Sequence, residues 1–456
     1  MKQQNLYKSW YRFISSAFIT ILMMASFAYL WYTKFNVMLD KVFLLKGNYF
    51  VIAVYGLIGV YFMSFFGGFK IGISKKTNVI ISQIIGMLIT NGVYWVFTVM
   101  MAGYLSYVQR FFAYYFLLFL AQTILLTLFS SLLISLFFKV FKPYKILNIK
   151  GTHDNDLAEK FNSRTDKYNI KGEINYDLDI DEISRIVDDY DAVLINDVPS
   201  ETRNRILKIC FAKEKRVYIT PKISDIIIRG SESLAVFDTP LLFSHNNTLT
   251  FTQRGIKRLF DIFLSALGLI VLSPIMILVS LAIFLYDRGP VFYRQTRYTK
   301  DGKTFKILKF RSMIPNAEKD GVARLASEHD DRITPVGKFI RACRLDELPQ
   351  FFNILKGDMS FVGPRPERPE IADEYTKEVP EFAFRLKVKA GLTGYAQIYG
   401  KYNTTSYDKL KLDMIYVENA SLLMDLKLLL LTLKVLFIKE STEGLEEGQL
   451  TASNKR

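Results

Sequence analysis

Four uncharged apolar runs fill most of the first third of this chain: residues 13–33, 49–69, 78–101 and 113–138. Each is long enough to cross a hydrocarbon layer as a helix, which takes roughly 20 residues. Inside lipid such a run must satisfy its own backbone hydrogen bonds, so each is expected to be a spanning helix. Together they make a four-helix transmembrane domain over residues 1–142. The first run is too long for a secretory signal and lacks a small-residue cleavage site, so it is read as retained.

Orientation follows from the loops. Lys2, Lys8 and Arg12 precede the first run, Lys70, Lys75 and Lys76 follow the second, and Lys139, Lys142 and Lys145 follow the fourth. The opposite loops carry Lys34, Lys41 and Lys46 diluted by Asp40, and then Arg110 alone. Basic loops stay inside, which makes both ends of the four-span unit cytoplasmic, in an inner membrane. The chain carries 59 Lys+Arg against 44 Asp+Glu, a formal +15. These basic residues flank apolar segments and accompany no nucleic-acid motif, so the expected partner is a membrane surface and not a nucleic acid. Cys210 and Cys343 are the only cysteines, too few for a disulfide framework and without metal-ligand spacing.

Residues 143–244 read as a Rossmann-like α/β domain. The strands "KILNIKG", "DAVLIND" and "RVYITP" alternate with helical patterns such as "SETRNRILKICFAKEK", which implies a parallel sheet. After the first strand Gly151 stands alone, without G-x-G-x-x-G, so the nucleotide site is expected to be degenerate. Residues 245–255 then form a linker.

A fifth apolar run, residues 262–286, is interrupted by Ser273-Pro274 and has basic clusters on both sides. A single crossing would put one cluster outside, against the charge rule. Proline breaks or kinks a helix, and each half, about 12 residues and 18 Å long, enters one leaflet without crossing. The expectation is a re-entrant membrane helix over 259–286, with the Ser273 hydroxyl serving carbonyls freed by the break. A kinked spanning helix is the competing reading.

The remainder, 256–456, holds two dense motifs. In "GKTFKILKFRSM", Lys306, Lys309 and Arg311 alternate with apolar residues, giving either a phosphate-facing strand or a solvated face. In "RACRLDELPQFFNILKGDMSFVGPRPE", Asp346 and Glu347 precede Pro349, which is expected to open a helix. The helix end would then keep Asp346 ionised. Arg341 and Arg344 lie before the pair, Arg365 and Arg368 after it. One carboxylate can attack phosphorus, another can hold a metal ion, and arginines can clamp phosphate oxygens. From spacing alone, helix capping explains the acidic pair equally well. The apolar stretch "SLLMDLKLLLLTLKVLFIK" is expected either along the membrane interface or in a core.

At these residues the chain resembles the bacterial sugar transferase family, the monotopic polyprenol phosphate phosphoglycosyl transferases. The likeness runs over about residues 253–436, through "KRLFDIFLS", the Ser-Pro break, "KILKFRSM", "DDRITPVGKFIR", "LDELPQFFNILKGDMSFVGPRPE", "KAGLTGYAQIYG" and "LDMIYVENASLLMDLKLLL". The four spans and Rossmann-like domain resemble the family's large form, which initiates capsular or exopolysaccharide synthesis. The resemblance implies transfer of hexose 1-phosphate from a UDP-sugar, glucose first and galactose as alternative, to undecaprenyl phosphate with release of UMP. It implies Asp346 as nucleophile and Glu347 as ligand of Mg2+. Lys309, Arg311, Arg341 and Arg365 fall on phosphate-binding positions, and Asp413 on a substrate or structural one. Two-fold assembly through the middle domain fits the architecture. A non-enzymatic nucleotide sensor or scaffold is the alternative from another class, and it leaves "LDELPQ" beside its arginines without a purpose.

Overall fold

The computed structural model of this chain describes residues 2–436 apart from 40, 104–105, 153–154, 245–248, 316–329 and 401–403. Two compact units result, Met1–Thr220 and Pro221–Arg456.

The first unit opens with α1 (Lys2–Leu30), α2 (Lys46–Phe66), α3 (Lys76–Ala102) and α4 (Tyr107–Val140). All four are long and apolar enough to cross a membrane. They share one core, in which Phe27, Tyr55, Met63, Met87 and Phe111 are fully buried. Leu57 and Leu128 stay exposed outside. Buried polar groups find partners inside the bundle: the Tyr55 hydroxyl donates to Asn91 at 2.8 Å, Asn91 donates to Gln122 at 2.9 Å, and Gln83 donates to the Gly68 carbonyl at 2.8 Å. An unpartnered amide is expensive in lipid, which explains the pairing.

The chain then builds β1 (Tyr144–Lys150), α5 (Leu157–Asn162), β2 (Tyr168–Asn175), α6 (Ile180–Asp188), β3 (Ala192–Asn196), α7 (Ser200–Ala212) and β4 (Arg216–Ile219). The sheet is parallel throughout, in the order β2-β1-β3-β4. Its core holds Leu147, Ile149, Val193, Ile195, Ile206 and Cys210. A Cβ on Gly151 would sit 1.9 Å from the Asp197 carbonyl. The turn that would cradle a phosphate is thus filled by the loop leaving β3.

The second unit starts with α8 (Ile223–Arg229). Its Ile223 and Ile226 pack with Tyr375, Leu410 and Met414, so the sheet-bearing unit ends before the expected 244. An exposed hairpin follows, β5 (Glu232–Val236) and β6 (Thr239–Phe243), with Phe237 bare at its turn. Of the expected linker, 245–248 lie outside the described residues. Thr250 and Gln253 form a capping box, so the next helix, α9 (Phe251–Asp287), already contains 251–255.

The expected interruption at Ser273-Pro274 is absent. α9 is helical across all 37 residues, with Pro274 inside. Its buried stripe, Asp261, Ser265, Met276, Val279 and Ile283, keeps helical spacing through the proline, and Pro274 itself is exposed. Proline at position 274 cannot serve the carbonyl of Ile270, four residues earlier. The Ser273 hydroxyl donates to that carbonyl at 2.8 Å, so the freed acceptor is satisfied as expected and the helix persists. Both halves dock on the same unit. Arg258 donates to the Ile354 and Leu355 carbonyls at 2.7 and 2.8 Å, and Asp287 pairs with Arg311 at the far end.

Beyond α9 come the antiparallel pair β7 (Phe292–Tyr298) and β8 (Thr304–Phe310), then α10 (Pro335–Ala342), α11 (Gln350–Lys356), β9 (Ser360–Val362), α12 (Pro369–Glu378), β10 (Gly391–Thr393), α13 (Tyr395–Tyr399), α14 (Ser406–Glu418) and α15 (Leu422–Leu436). β9 and β10 pair in parallel. α15 resolves the two readings of its sequence by face. Leu428 and Leu431 are buried and Asp425 is paired, while Leu423, Leu426 and Leu433 are exposed.

Candidate active site

Asp346 and Glu347 lie on a single 3-10 turn, Leu345–Glu347, between α10 and α11. Thr334 caps α10 by accepting from the Gly337 amide at 2.9 Å. After α10 the chain reverses at Arg344, whose φ of 57° is left-handed. Such a conformation costs a non-glycine residue free energy and concentrates at functional sites. Pro349 precedes Gln350, the first residue of α11, so the helix begins one residue later than the sequence suggests.

Glu347 sits in a cationic clamp. Its Oε1 accepts from Lys309 Nζ and from Arg365 Nη2, each at 2.9 Å, and its side chain is 12% exposed. Burial alone would raise its pKa, but the Arg365 and Lys309 charges overcome that and hold the carboxyl well below its ordinary range. Among the described residues Asp346 makes no hydrogen bond or ion pair. Burial raises its pKa, with the Glu347 charge adding and Lys309, Arg341 and Arg365 opposing. The sequence leads to the expectation of a helix end that favours ionised Asp346; burial works against that ionisation, and α11 is only seven residues long. Lys309 has its pKa lowered by burial against the pull of Glu347.

Arg365 is held by backbone. Gly363 and Gly391 approach so closely that a Cβ on either would lie within 2.2 Å of a main-chain atom. Gly363 donates to the Thr393 carbonyl and Gly391 to that of Pro364, both at 2.9 Å. Arg385 donates to the Arg365 carbonyl at 2.9 Å and pairs with Asp413 at 2.7 Å and with Glu367 at 3.6 Å. Glu367 also meets Lys409; burial opposes its ionisation, yet these cations bring its pKa down to about 2. Upstream, Asp261 on α9 accepts from Ser360 Oγ and from the Phe361 amide at 3.1 Å. This fixes β9 just before the arginine loop.

The structure thus gathers Lys309, Arg341, Arg365, Asp346 and Glu347, and it places two other expected residues elsewhere. Arg311 is buried over Gly289 and pairs with Asp287. Asp413 is 1% exposed, tucked beside Arg385. The even spread of cations along β8 does not make one face either. Strand parity sets Lys306 opposite Lys309, and Lys306 is exposed. Asp261, Arg385 and Glu367 escaped notice in the sequence. For Asp261 a signal existed, a lone carboxylate at the mouth of an apolar run.

A family model described as bacterial sugar transferase matches residues 252–439. The chain is 41% identical over 219 residues to the UDP-glucose:undecaprenyl-phosphate glucose-1-phosphate transferase of Klebsiella pneumoniae, covering 47% of this chain and 45% of that protein. It is 41% identical over 184 residues to the UDP-N-acetylgalactosamine-undecaprenyl-phosphate N-acetylgalactosaminephosphotransferase of Aeromonas hydrophila, covering 40% and 43%. Against the UDP-glucose:undecaprenyl-phosphate glucose-1-phosphate transferase of Caulobacter vibrioides it is 40% identical over 190 residues, 41% of this chain and 71% of that one. The match spans about half the length of the first two relatives and most of the third. The aligned region contains the whole Asp346–Glu347 site, and the chain belongs to the bacterial sugar transferase family.

Proposed function

We propose that this chain transfers a sugar 1-phosphate, glucose 1-phosphate foremost, from a UDP-sugar to undecaprenyl phosphate. UMP is released, and the step initiates capsular or exopolysaccharide synthesis at the cytoplasmic face of the inner membrane. The observation that carries the reading is the Asp346–Glu347 pair, two adjacent carboxylates driven in opposite directions by their surroundings. Environments that separate like groups assign them different roles. Glu347 is held ionised by two cations, and Asp346 is unpartnered and therefore available.

An Asp346 carboxylate oxygen bonds to the β-phosphorus of the donor, and the bond from that phosphorus to the bridging oxygen breaks. UMP departs with the electron pair. A phosphate oxygen of undecaprenyl phosphate then attacks the same phosphorus and returns Asp346 as a carboxylate. Lys309, Arg341 and Arg365 offset the charge of the phosphates throughout. Bound Mg2+ supplies further neutralisation of the diphosphate. Glu347 suits it, because Mg2+ takes one or two carboxylates with phosphate oxygens and water. Among the described residues no group of three acidic, His or Cys ligands could cage a metal without substrate.

The test uses the full chain in nanodiscs with undecaprenyl phosphate and, separately, UDP-glucose, UDP-galactose and UDP-N-acetylgalactosamine, scored by UMP release. With donor alone the intact mass should increase by one phosphosugar, and Asp346→Asn should abolish the increase. Release of UMP without that increase would sink the covalent step, and silence with every donor would sink the reaction.

A further inference from the structure

At the end of the bundle where α1 begins and α4 finishes, a cavity of about 230 Å3 opens between the helices and the sheet of the same unit. Five cations line it: Lys8, Arg12, Lys142, Lys167 and Arg216. Its one acidic residue, Asp166, is already engaged by Arg164 in a two-point pair at 2.8 and 2.9 Å. Among the described residues none of the five cations has a carboxylate partner. Arg12 donates to the Lys8 carbonyl and to Ser9, Lys167 to the Ile73 carbonyl, and Arg216 to Asn5. Lys8, only 6% exposed, holds its ammonium 3.8 Å from the centre of the Tyr144 ring, and the Arg216 guanidinium lies 4.3 Å from the same ring. Two cations therefore share a single aromatic partner.

Like charges held this close repel, and burial weakens the screening that would relieve them. Burial lowers the Lys167 pKa, Tyr218 and Tyr144 oppose the shift, and the charges of Arg164 and Arg216 add to it. An anion with several acceptor oxygens would offset all five charges at once. A phosphate group suits the need, since arginine forks and lysine ammonium groups both bind its oxygens. The lining also includes Phe137, Phe138 and Phe141. Apolar rings beside cations at the end of four apolar helices match a molecule that is charged at one end and greasy at the other.

We propose that this cavity, built wholly from residues before Thr220, is a phosphate-binding site, filled by an anionic phospholipid headgroup or by a free phosphate-bearing solute. Neither substrate role nor any residue of the Asp346–Glu347 site enters the proposal.

Two readouts on the full chain separate the sources. The first is retention of phosphatidylglycerol, read by native mass spectrometry after release from phosphatidylcholine nanodiscs with and without that lipid. The second is 31P line broadening of added inorganic phosphate in phosphatidylcholine nanodiscs. The variant is Lys167→Gln with Arg216→Gln, and the control is Lys208→Gln on the exposed face of α7. Losing a charge-assisted bond should weaken the affected ligand about ten-fold or more, while the control binds as the wild type does. An effect on phosphatidylglycerol alone identifies the lipid source, and one on inorganic phosphate alone identifies the solute. If neither ligand binds, or the variant binds both as wild type does, the proposal falls. Should the double change unfold the chain, Arg12→Gln decides by the same two readouts.

Discussion

Changing Asp346 and Glu347 one at a time to their amides should separate stability from chemistry. In Glu347→Gln, Lys309 and Arg365 lose the oxygen that both contact at 2.9 Å. Breaking a fully buried ion pair from one side costs roughly 3–5 kcal/mol. Here Lys309 is 20% and Arg365 36% exposed, so solvent takes up part of the freed charge and about 2 kcal/mol is the working figure. For a domain of this size that lowers the melting temperature by roughly 4–8 °C. Asp346→Asn is different. Asp346 has no bonded partner among the described residues, and burial together with the Glu347 charge outweighs the surrounding cations. Removing its charge should leave the melting temperature unchanged or slightly higher, as is common where function opposes stability. Both variants should lose UMP release. Thermal unfolding in one detergent, alongside turnover, checks the contrast. If Asp346→Asn melts as low as Glu347→Gln, or still turns over, the assignment of the two roles is wrong.

The rate should follow a bell-shaped pH profile. Its acid limb, from protonation of Asp346, lies above the ordinary aspartate range because that pKa is raised. Its alkaline limb, from Lys309, lies below the ordinary lysine range because that pKa is lowered, and Lys309→Arg should push the alkaline limb upward. Gly151→Ala forces a Cβ to within 1.9 Å of the Asp197 carbonyl, so β1 and β3 must part. The expected loss is roughly 1–3 kcal/mol, seen as faster amide exchange in both strands. Asp413→Asn takes from Arg385 the carboxylate at 2.7 Å. Unfolding should then cost about 3 kcal/mol less, and the KM for donor should rise because Arg385 carries the Arg365 backbone.

The long apolar runs were legible because lipid admits so few backbone solutions. β1, β3 and β4 were legible because each is a short, mostly apolar run rich in Ile and Val, fully buried in β3 and half-buried in β4. β2 was not, since Lys171 and Glu173 give an edge strand the composition of a loop. The dyad and its cations could be picked out as a cluster of residue types. Their distribution could not, because pairing across distant segments decides it. Nothing in "KFRSM" announces that Arg311 turns to Asp287, nor does "LDMIY" reveal Arg385 behind it. The same holds for α9. Proline suggests a break, and only the Ser273 hydroxyl on the Ile270 carbonyl explains why none occurs.

That helix also bears on how the protein can be handled. Asp261 supplies the acceptor for Ser360 and for the Phe361 amide, Arg258 serves two carbonyls at the end of α11, and Lys257 joins Asp425. A fragment beginning after Asp287 would lose each of these partners together with the apolar stripe of α9. Trimming the chain there would therefore strip β9, α11 and α15 of bonds that hold them. What reads in the sequence as a tether is, in the fold, a structural wall of the unit that carries the Asp346–Glu347 pair, and the chain is best handled with α9 attached.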